Sequence, residues 1–111
     1  MATNKTPEFL PGTLDMLILK TLTRASNHGY GIAQYIQKVS NEALRIGEGS
    51  LYPALQRLLV NGWVEAEWGI SETGRRVRIY RLTAGGRKQL AREVAEFDYL
   101  IAGIARVMEG A

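Results

Sequence analysis

The chain has no cysteine among its 111 residues. That excludes a disulfide, a thiolate nucleophile and any cysteine-based metal site, and it accords with a reducing compartment. Histidine is almost as scarce, with His28 alone. It has no acidic or cysteine neighbours that could complete a metal site, and as a general base it lacks a carboxylate nearby in sequence to orient it. A turn or packing role is therefore expected for His28. Phosphate-binding glycine loops, metal-binding helix motifs and nucleophile elbows are also missing. The chain reads as a non-enzyme with no catalytic residues, no cofactor and no metal. No apolar run exceeds the four residues Met16–Leu19, far too few to cross a bilayer, and the opening Met-Ala-Thr-Asn-Lys-Thr-Pro-Glu lacks a signal-peptide apolar stretch. The expectation is one soluble, cytoplasmic domain with no membrane partner.

Net negative charge is missing too, and the positive excess is concentrated. Between Ile70 and Arg81 the four arginines 75, 76, 78 and 81 oppose only Glu72, a local charge of +3 that equals the net charge of the whole chain. The remaining residues carry ten basic and ten acidic side chains. A basic patch of this kind suits phosphate, although a hairpin edge can also be kept basic against aggregation.

The stretch Gly47–Leu82 organises the chain. Leu51, Leu55, Leu58 and Leu59 share one helical face, and Ser50, Pro53, Gln56 and Arg57 fall on the other. Pro53 belongs in a first turn, so regular helix is expected from about Ser50, with Gly47–Gly49 irregular or kinked, either open to close approach by a partner or simply a flexible turn. Asn61-Gly62 stops this helix. Val64, Ala66 and Trp68 then alternate with glutamates, and Tyr80 and Leu82 alternate with Ile79 and Arg81, giving two strands joined by the polar loop from Gly69 to Arg76. A helix followed by a two-stranded hairpin with a basic tip is the layout of a winged helix, a device for holding nucleic acid.

The flanks complete the expected architecture, mainly α with a small β-hairpin. Residues 1–11, with Pro7 and Pro11, read as a loose arm. Residues 12–82 read as the winged helix-turn-helix. Within it Thr13 can cap a first helix carrying Leu14, Leu17, Ile18 and Leu22, and a second helix follows over Tyr30–Ser40. Leu44-Arg45-Ile46 could add a short strand along one edge of the hairpin. Residues 83–111 form a last helix capped by Thr83 and weakened by Gly85 and Gly86, each by roughly 1 kcal/mol relative to alanine. Leu90, Val94, Phe97, Ile101, Ile104 and Met108 recur on it at alternating steps of four and three, a heptad seam. At about 1.5 Å per residue this helix outruns a small three-helix domain, so its far half is expected to pack on a second copy of the chain, the alternative being that Leu100, Ile101, Ile104 and Val107 fold back on their own domain.

With these elements placed, the chain resembles the PadR-like transcriptional regulators, in the short form with one C-terminal helix. The resemblance is carried by Leu14-Asp15-Met16-Leu17-Ile18-Leu19, His28-Gly29-Tyr30-Gly31-Ile32, Gly49-Ser50-Leu51-Tyr52-Pro53-Ala54-Leu55 with Arg57-Leu58, Gly74-Arg75-Arg76, and Tyr80-Arg81-Leu82-Thr83 with Gly86-Arg87. It implies a winged helix-turn-helix homodimer that binds operator DNA, usually as a repressor released by a small molecule or stress signal. Drug-binding relatives carry a tryptophan on the C-terminal helix. Here that helix offers Phe97 and Tyr99, so an aromatic-sandwich ligand site does not carry over.

In helix-turn-helix proteins the second helix of the motif enters the major groove of double-stranded DNA, which here assigns Ser50, Tyr52, Pro53, Gln56 and Arg57. Gln56 and Arg57 can make bidentate contacts to adenine and guanine, while Ser50 and Tyr52 can bind phosphate; Tyr52 can also be partly core. Tyr30 is a phosphate candidate at a helix start, or a packing residue under the first helix. Arg75 and Arg76 would reach phosphates or the minor groove beside the site. A small apolar or aromatic effector would act where the copies meet, in a gap lined by Phe97, Ile101 and Ile104 with Leu14 and Ile18, although such residues more often form a simple core. Two other uses of the fold stay open: a winged-helix protein-interaction module, and nucleic-acid binding without sequence preference.

Overall fold

The computed structural model of the chain describes residues 12–110, so the arm expected over residues 1–11 lies outside the described residues. The elements run α1 (Thr13–Leu22), β1 (Asn27–His28), α2 (Gly29–Val39), α3 (Glu48–Val60), β2 (Val64–Ile70), β3 (Arg76–Leu82) and α4 (Ala84–Met108). The three antiparallel strands lie in the order β1-β3-β2. This is the mainly helical winged helix-turn-helix with a long C-terminal helix that the sequence leads one to expect.

One core joins the first three helices to the base of the hairpin. Ile18 and Leu19 of α1, Ile32 of α2, Leu55 and Leu58 of α3, and Val64 of β2 are all fully buried, with Tyr80 of β3 closing the sheet side. Among the described residues no helix is long and apolar enough to cross a membrane.

Local chemistry explains where each helix begins. Thr13 does not cap α1: it is already the first helical residue, and Gly12, in the left-handed region at φ 87°, takes the cap position. A capping hydroxyl must precede the first turn, and Thr13 is one position too late for that. His28 caps α2, its Nδ1 accepting the Gly31 N–H at 3.2 Å, which gives the lone histidine the turn role expected of it. α3 begins at Glu48, two residues earlier than its proline suggests. Pro53 lacks the N–H that would have met the Gly49 carbonyl, and Gly49 lies at the exposed end of the helix, where water can serve that oxygen.

The third strand is not Leu44–Ile46, which is irregular. Asn27 and His28 pair with Tyr80 and Ile79 instead. Leu44 and Ile46 are spent on packing, both partly buried against the core, and so do not run along the edge of β3. Between α2 and α3 the chain turns tightly through Asn41 (φ 59°) and Glu42 (φ 72°). Left-handed backbone costs a residue such as Glu42 roughly 1–2 kcal/mol. The turn is held by the Glu42 N–H on the Gln37 carbonyl at 2.9 Å, and by the Glu42 carboxylate accepting from Gln37 Nε2 at 2.6 Å.

The start of α4 is latched to the far end of α3. Thr83 Oγ1 donates to the Gly62 carbonyl (2.8 Å) and accepts from Gly86 N (3.0 Å), while Thr83 N donates to the Trp63 carbonyl (3.1 Å). Gly86 is forced to be glycine, because a Cβ there would sit 2.1 Å from the Trp63 carbonyl oxygen, whereas at Gly85 the nearest atom would be 3.7 Å away. The two glycines are therefore not equivalent costs of one weak helix turn. Gly85→Ala is expected to stabilise the chain by roughly 0.5–1 kcal/mol, and Gly86→Ala to destabilise it by about 2 kcal/mol or more, measured by denaturant unfolding. Similar stabilisation by both would mean that the close approach at Trp63 is absent.

Candidate nucleic-acid interface

One side of α3 is committed to the core and the rest is presented to solvent. Leu51, Ala54, Leu55 and Leu58 are buried, and Gly49, Ser50, Tyr52, Pro53, Gln56, Arg57 and Val60 are exposed. By the helical period, Gly49, Pro53, Gln56 and Val60 point most directly outward. Tyr52 and Arg57 lie on opposite borders of that strip, and both turn back toward the domain.

Arg57 Nη2 donates to Asp15 Oδ1 of α1 at 2.8 Å; the Arg57 side chain is 55% exposed and the Asp15 side chain 11%. The guanidinium is thus tied down as the partner of a nearly buried carboxylate. On the other border the Tyr52 ring lies against Gly29, where an added Cβ would meet Tyr52 Cε1 at 3.0 Å. Tyr52 nonetheless stays half exposed, so it is both a packing residue and a surface phenol. It also lies close to Tyr80: burial lifts the Tyr80 phenol above its ordinary range, the Arg78 charge pulls it down, and the Tyr52 phenol pushes it up. Tyr30, at the start of α2, is exposed, its hydroxyl accepting from Gln34 Nε2 at 2.7 Å. Packing under the first helix is not its role.

The hairpin register sorts the wing arginines by face. Val64 opposes Leu82, Ala66 opposes Tyr80, Trp68 opposes Arg78 and Ile70 opposes Arg76, so these residues share one face of the ribbon. Its base is core. At Trp68 the ribbon leaves the core, and the indole is 57% exposed. The Arg76 guanidinium lies 4.3 Å from the Trp68 ring centroid and that of Arg78 lies 5.5 Å away, both within cation–π reach. Arg81 points to the other face and pairs with Glu65. Arg75 sits at the tip, in a turn closed by Ser71 N on the Arg75 carbonyl (2.8 Å), with Gly74 at φ 83°. Sequence reasoning selected Arg75 and Arg76 and passed over Arg78 and Trp68. The two-residue period that unites Arg76 with Arg78 was present in the sequence, but the pairing with Trp68 required the hairpin register.

The seam residues of α4 differ among themselves. Leu90 packs, partly buried, on its own domain's core, Phe97 is half buried, and Val94, Ile101, Ile104 and Met108 are exposed. The gap suggested between Phe97, Ile101, Ile104, Leu14 and Ile18 needs correction. Leu14 and Ile18 are 6% and 0% exposed, buried within the core cluster, and so do not line an open gap. The open groove between α1 and α4, about 230 Å³, is lined by Gly12, Thr13, Met16, Glu93, Phe97 and Leu100 among others. In that groove Glu93 Oε1 is buried without a hydrogen-bond partner among the described residues, and burial raises the Glu93 carboxyl above its ordinary range.

Residues 18–92 match the transcriptional regulator PadR-like family. The chain is similar to a transcriptional regulator of Mycobacterium tuberculosis, 36% identical over 69 residues that cover 62% of this chain and 63% of that protein. Among solved structures, it is similar to a transcriptional regulator from Clostridium thermocellum, with a TM-score of 0.79 and 32% identity, covering 86% of this chain and 92% of that one. A PadR family transcription regulator from Clostridium difficile gives a TM-score of 0.72 at 26% identity, covering 87% of this chain and 99% of that one.

The Asp15–Arg57 pair is open to direct test. Arg57→Ala leaves Asp15 nearly buried and unpaired and is expected to cost about 1–2 kcal/mol in denaturant unfolding, with most of the loss recovered in the Asp15→Asn/Arg57→Ala double variant. Additive losses in the double variant would show that the two side chains do not depend on each other.

Proposed function

The chain belongs to the transcriptional regulator PadR-like family, a family of regulators and not of enzymes, and from that premise we propose that it is a homodimeric repressor that reads an inverted-repeat operator in double-stranded DNA. On this reading residues 12–82 form the DNA-reading unit and residues 83–111 the dimerisation helix.

The observation that carries the DNA reading is the outward strip of α3 and what stands at its start. Gly49 lies on that strip with nothing within 4 Å of an added Cβ, so packing within the chain does not require glycine there. A glycine in a helix costs roughly 1 kcal/mol relative to alanine, and a close-approaching partner supplies the missing reason for it. Gln56, two helical turns further along the same strip, is placed to make a bidentate contact with adenine in the major groove. Pro53 lies between them on the strip, Ser50 and Tyr52 border the approach, and Tyr30 brings a phenol to the backbone beside the start of α2. Arg57 is assigned a different part. Held by Asp15, it fixes the angle of α3 against α1 and does not read a base.

The wing adds Arg75 at its tip and the Trp68–Arg76–Arg78 cluster on its inner face. Stacking on an indole holds a guanidinium extended while leaving its N–H donors free for phosphate. Two inverted half-sites about 34 Å apart would follow from a two-fold dimer, and a small dimer seated on such a site acts most directly by blocking access to it.

Three substitutions separate the roles in DNA-binding titrations. Gly49→Ala is expected to leave stability unchanged or slightly improved while weakening operator affinity about tenfold or more. Arg76→Ala with Arg78→Ala should weaken binding to every sequence and lower the salt slope by about two. Gln56→Ala should relax preference at one base position, at about 1–3 kcal/mol. No duplex binding at low salt would move the protein to the class of winged-helix protein-interaction modules, and equal loss on cognate and random DNA for Gln56→Ala would assign that residue to phosphate.

The dimer rests on α4, whose 25 residues span about 37 Å. Leu100, Ile101 and Ile104 are each 45% exposed, and Val107 and Met108 more so. Apolar side chains repeated at heptad spacing call for a facing helix. Sedimentation should find a dimer at micromolar concentration, and Ile101→Glu with Ile104→Glu should give a folded monomer. A monomeric wild-type chain would overturn the dimer.

A further inference from the structure

The wing carries more apolar surface than a phosphate clamp needs. Beyond the Ala66–Tyr80 pair, where the ribbon leaves the core, its inner face presents Trp68 and Ile70 from β2, with Arg78 and Arg76 opposite them on β3. Ile70 and Arg76 are the last pair of the ladder before the turn at the tip. The Arg76 guanidinium lies 4.3 Å from the Trp68 ring centroid, so this side chain turns back along the ribbon and does not cover its own cross-strand neighbour. Ile70 is left 69% exposed.

Strand propensity alone does not call for an apolar residue there, because threonine serves an exposed strand about as well as isoleucine. Its company is more telling. Arg75, Arg76 and Arg78, all exposed, occupy the same end of the hairpin, and Glu72 is the one acidic side chain between Ile70 and Arg81. Such charge suits the paired phosphate rows of a duplex and no neutral or cationic surface. An ordinary minor groove is ~6 Å wide, whereas the two strands of a ribbon stand ~4.8 Å apart before their side chains are counted. A ribbon therefore enters only where the groove opens. Unstacking a base step opens it, and an apolar side chain inserted at that step takes the place of the lost stacking.

From this arrangement we propose that Ile70 is a wedge: the wing enters the minor groove beside the half-site, Ile70 inserts at one base step, and the duplex bends toward the major groove that holds α3. The arginines hold the flanking phosphates, and Trp68 keeps Arg76 and Arg78 drawn back from the inserted side chain. Pyrimidine–purine steps, TA and CA/TG, unstack most readily, so the wedge selects such a step at a position that no hydrogen bond reads. This inference rests on the DNA reading proposed above and adds to it a site of deformation.

The test uses the full chain and a duplex that it selects from a random-sequence pool, labelled at its ends with donor and acceptor dyes and carrying 2-aminopurine at the pyrimidine–purine step of each flank. Wild-type protein should bend this duplex by about 40° or more, and the 2-aminopurine should brighten as it unstacks. Ile70→Thr should keep the fold and the salt slope, since strand preference and phosphate contacts are untouched. It should also lose about half the bend or more, abolish the brightening, and bind about five- to tenfold more weakly. Ile70→Leu should retain the bend. Replacing the flanking step by GC should weaken the wild type about fivefold and Ile70→Thr hardly at all. A duplex that the wild type binds and leaves straight, or that Ile70→Thr bends equally, would overturn the wedge while leaving DNA reading intact. Failure to select any duplex would overturn both together.

Discussion

Leu51, Ala54, Leu55 and Leu58 are each 2% exposed or less, and their burial is the constraint from which the rest of the surface follows. Once that stripe is fixed against α1, α2 and the base of the hairpin, the 13 residues of α3 have no freedom to choose what they present. The outward strip and its two borders are then determined by the helical period. The borders are where the domain and the proposed interface compete for side chains. A long residue there can bend back, as Arg57 does to Asp15, or lean on a neighbour, as Tyr52 does on Gly29. Only the middle of the strip is free of such claims, which is why Gly49 and Gln56 carry the proposed contact with DNA.

What could be read in advance divides by range. Periodicity is a local property, so the buried face of α3, the two long strands and the heptad spacing of α4 were all visible in the order of residues. Thr83 as a cap was visible too, since capping spans three residues. The partner of Arg57 was not, because Asp15 lies 42 positions away and nothing in either neighbourhood announces the other. β1 was missed for a related reason. Two residues show no alternation, and Asn27-His28 becomes strand only because the free edge of β3 lies beside it. Gly86 looked like Gly85 until the Trp63 carbonyl was in place above it. The candidate DNA contacts followed the same division: helix positions were legible, whereas Arg78 and Trp68 became a cluster only through cross-strand pairing.

The latch at Thr83 couples the two halves of the molecule. Gly62, which ends α3, and Trp63, which leads into β2, are both bonded to the residue that starts α4. The start of α4 is therefore tied to the C-terminal end of α3, while the turn at Asn41–Glu42 precedes the other end. α3 is thus flanked by two contacts, the Thr83 latch toward α4 and the Asn41–Glu42 turn toward α2. A shift of α3 can come from either side, provided the agent favours one arrangement over the other.

Glu93 shows which way the α1–α4 groove is biased. Its carboxyl is raised first by burial, with the charges of Asp15 and Glu96 adding to the effect and the Gln89 hydrogen bond and Arg92 opposing it. A carboxyl whose folded value is raised holds its proton more tightly in the folded chain. Its contribution to stability is full below the ordinary carboxylate value and is lost as pH rises through the raised one. Once ionised, the group is thus a net cost in this groove, with Oε1 left without a partner among the described residues. Apolar cover by a second helix would deepen that cost unless it also brought a donor. A second copy of the chain can bring one, since Arg87, Lys88 and Arg92 lie on the same stretch of α4 as Glu93. A proposed dimer that set the basic first half of one α4 against the α1–α4 groove of the other would answer this carboxylate while Ile101 and Ile104 are covered further along the helix.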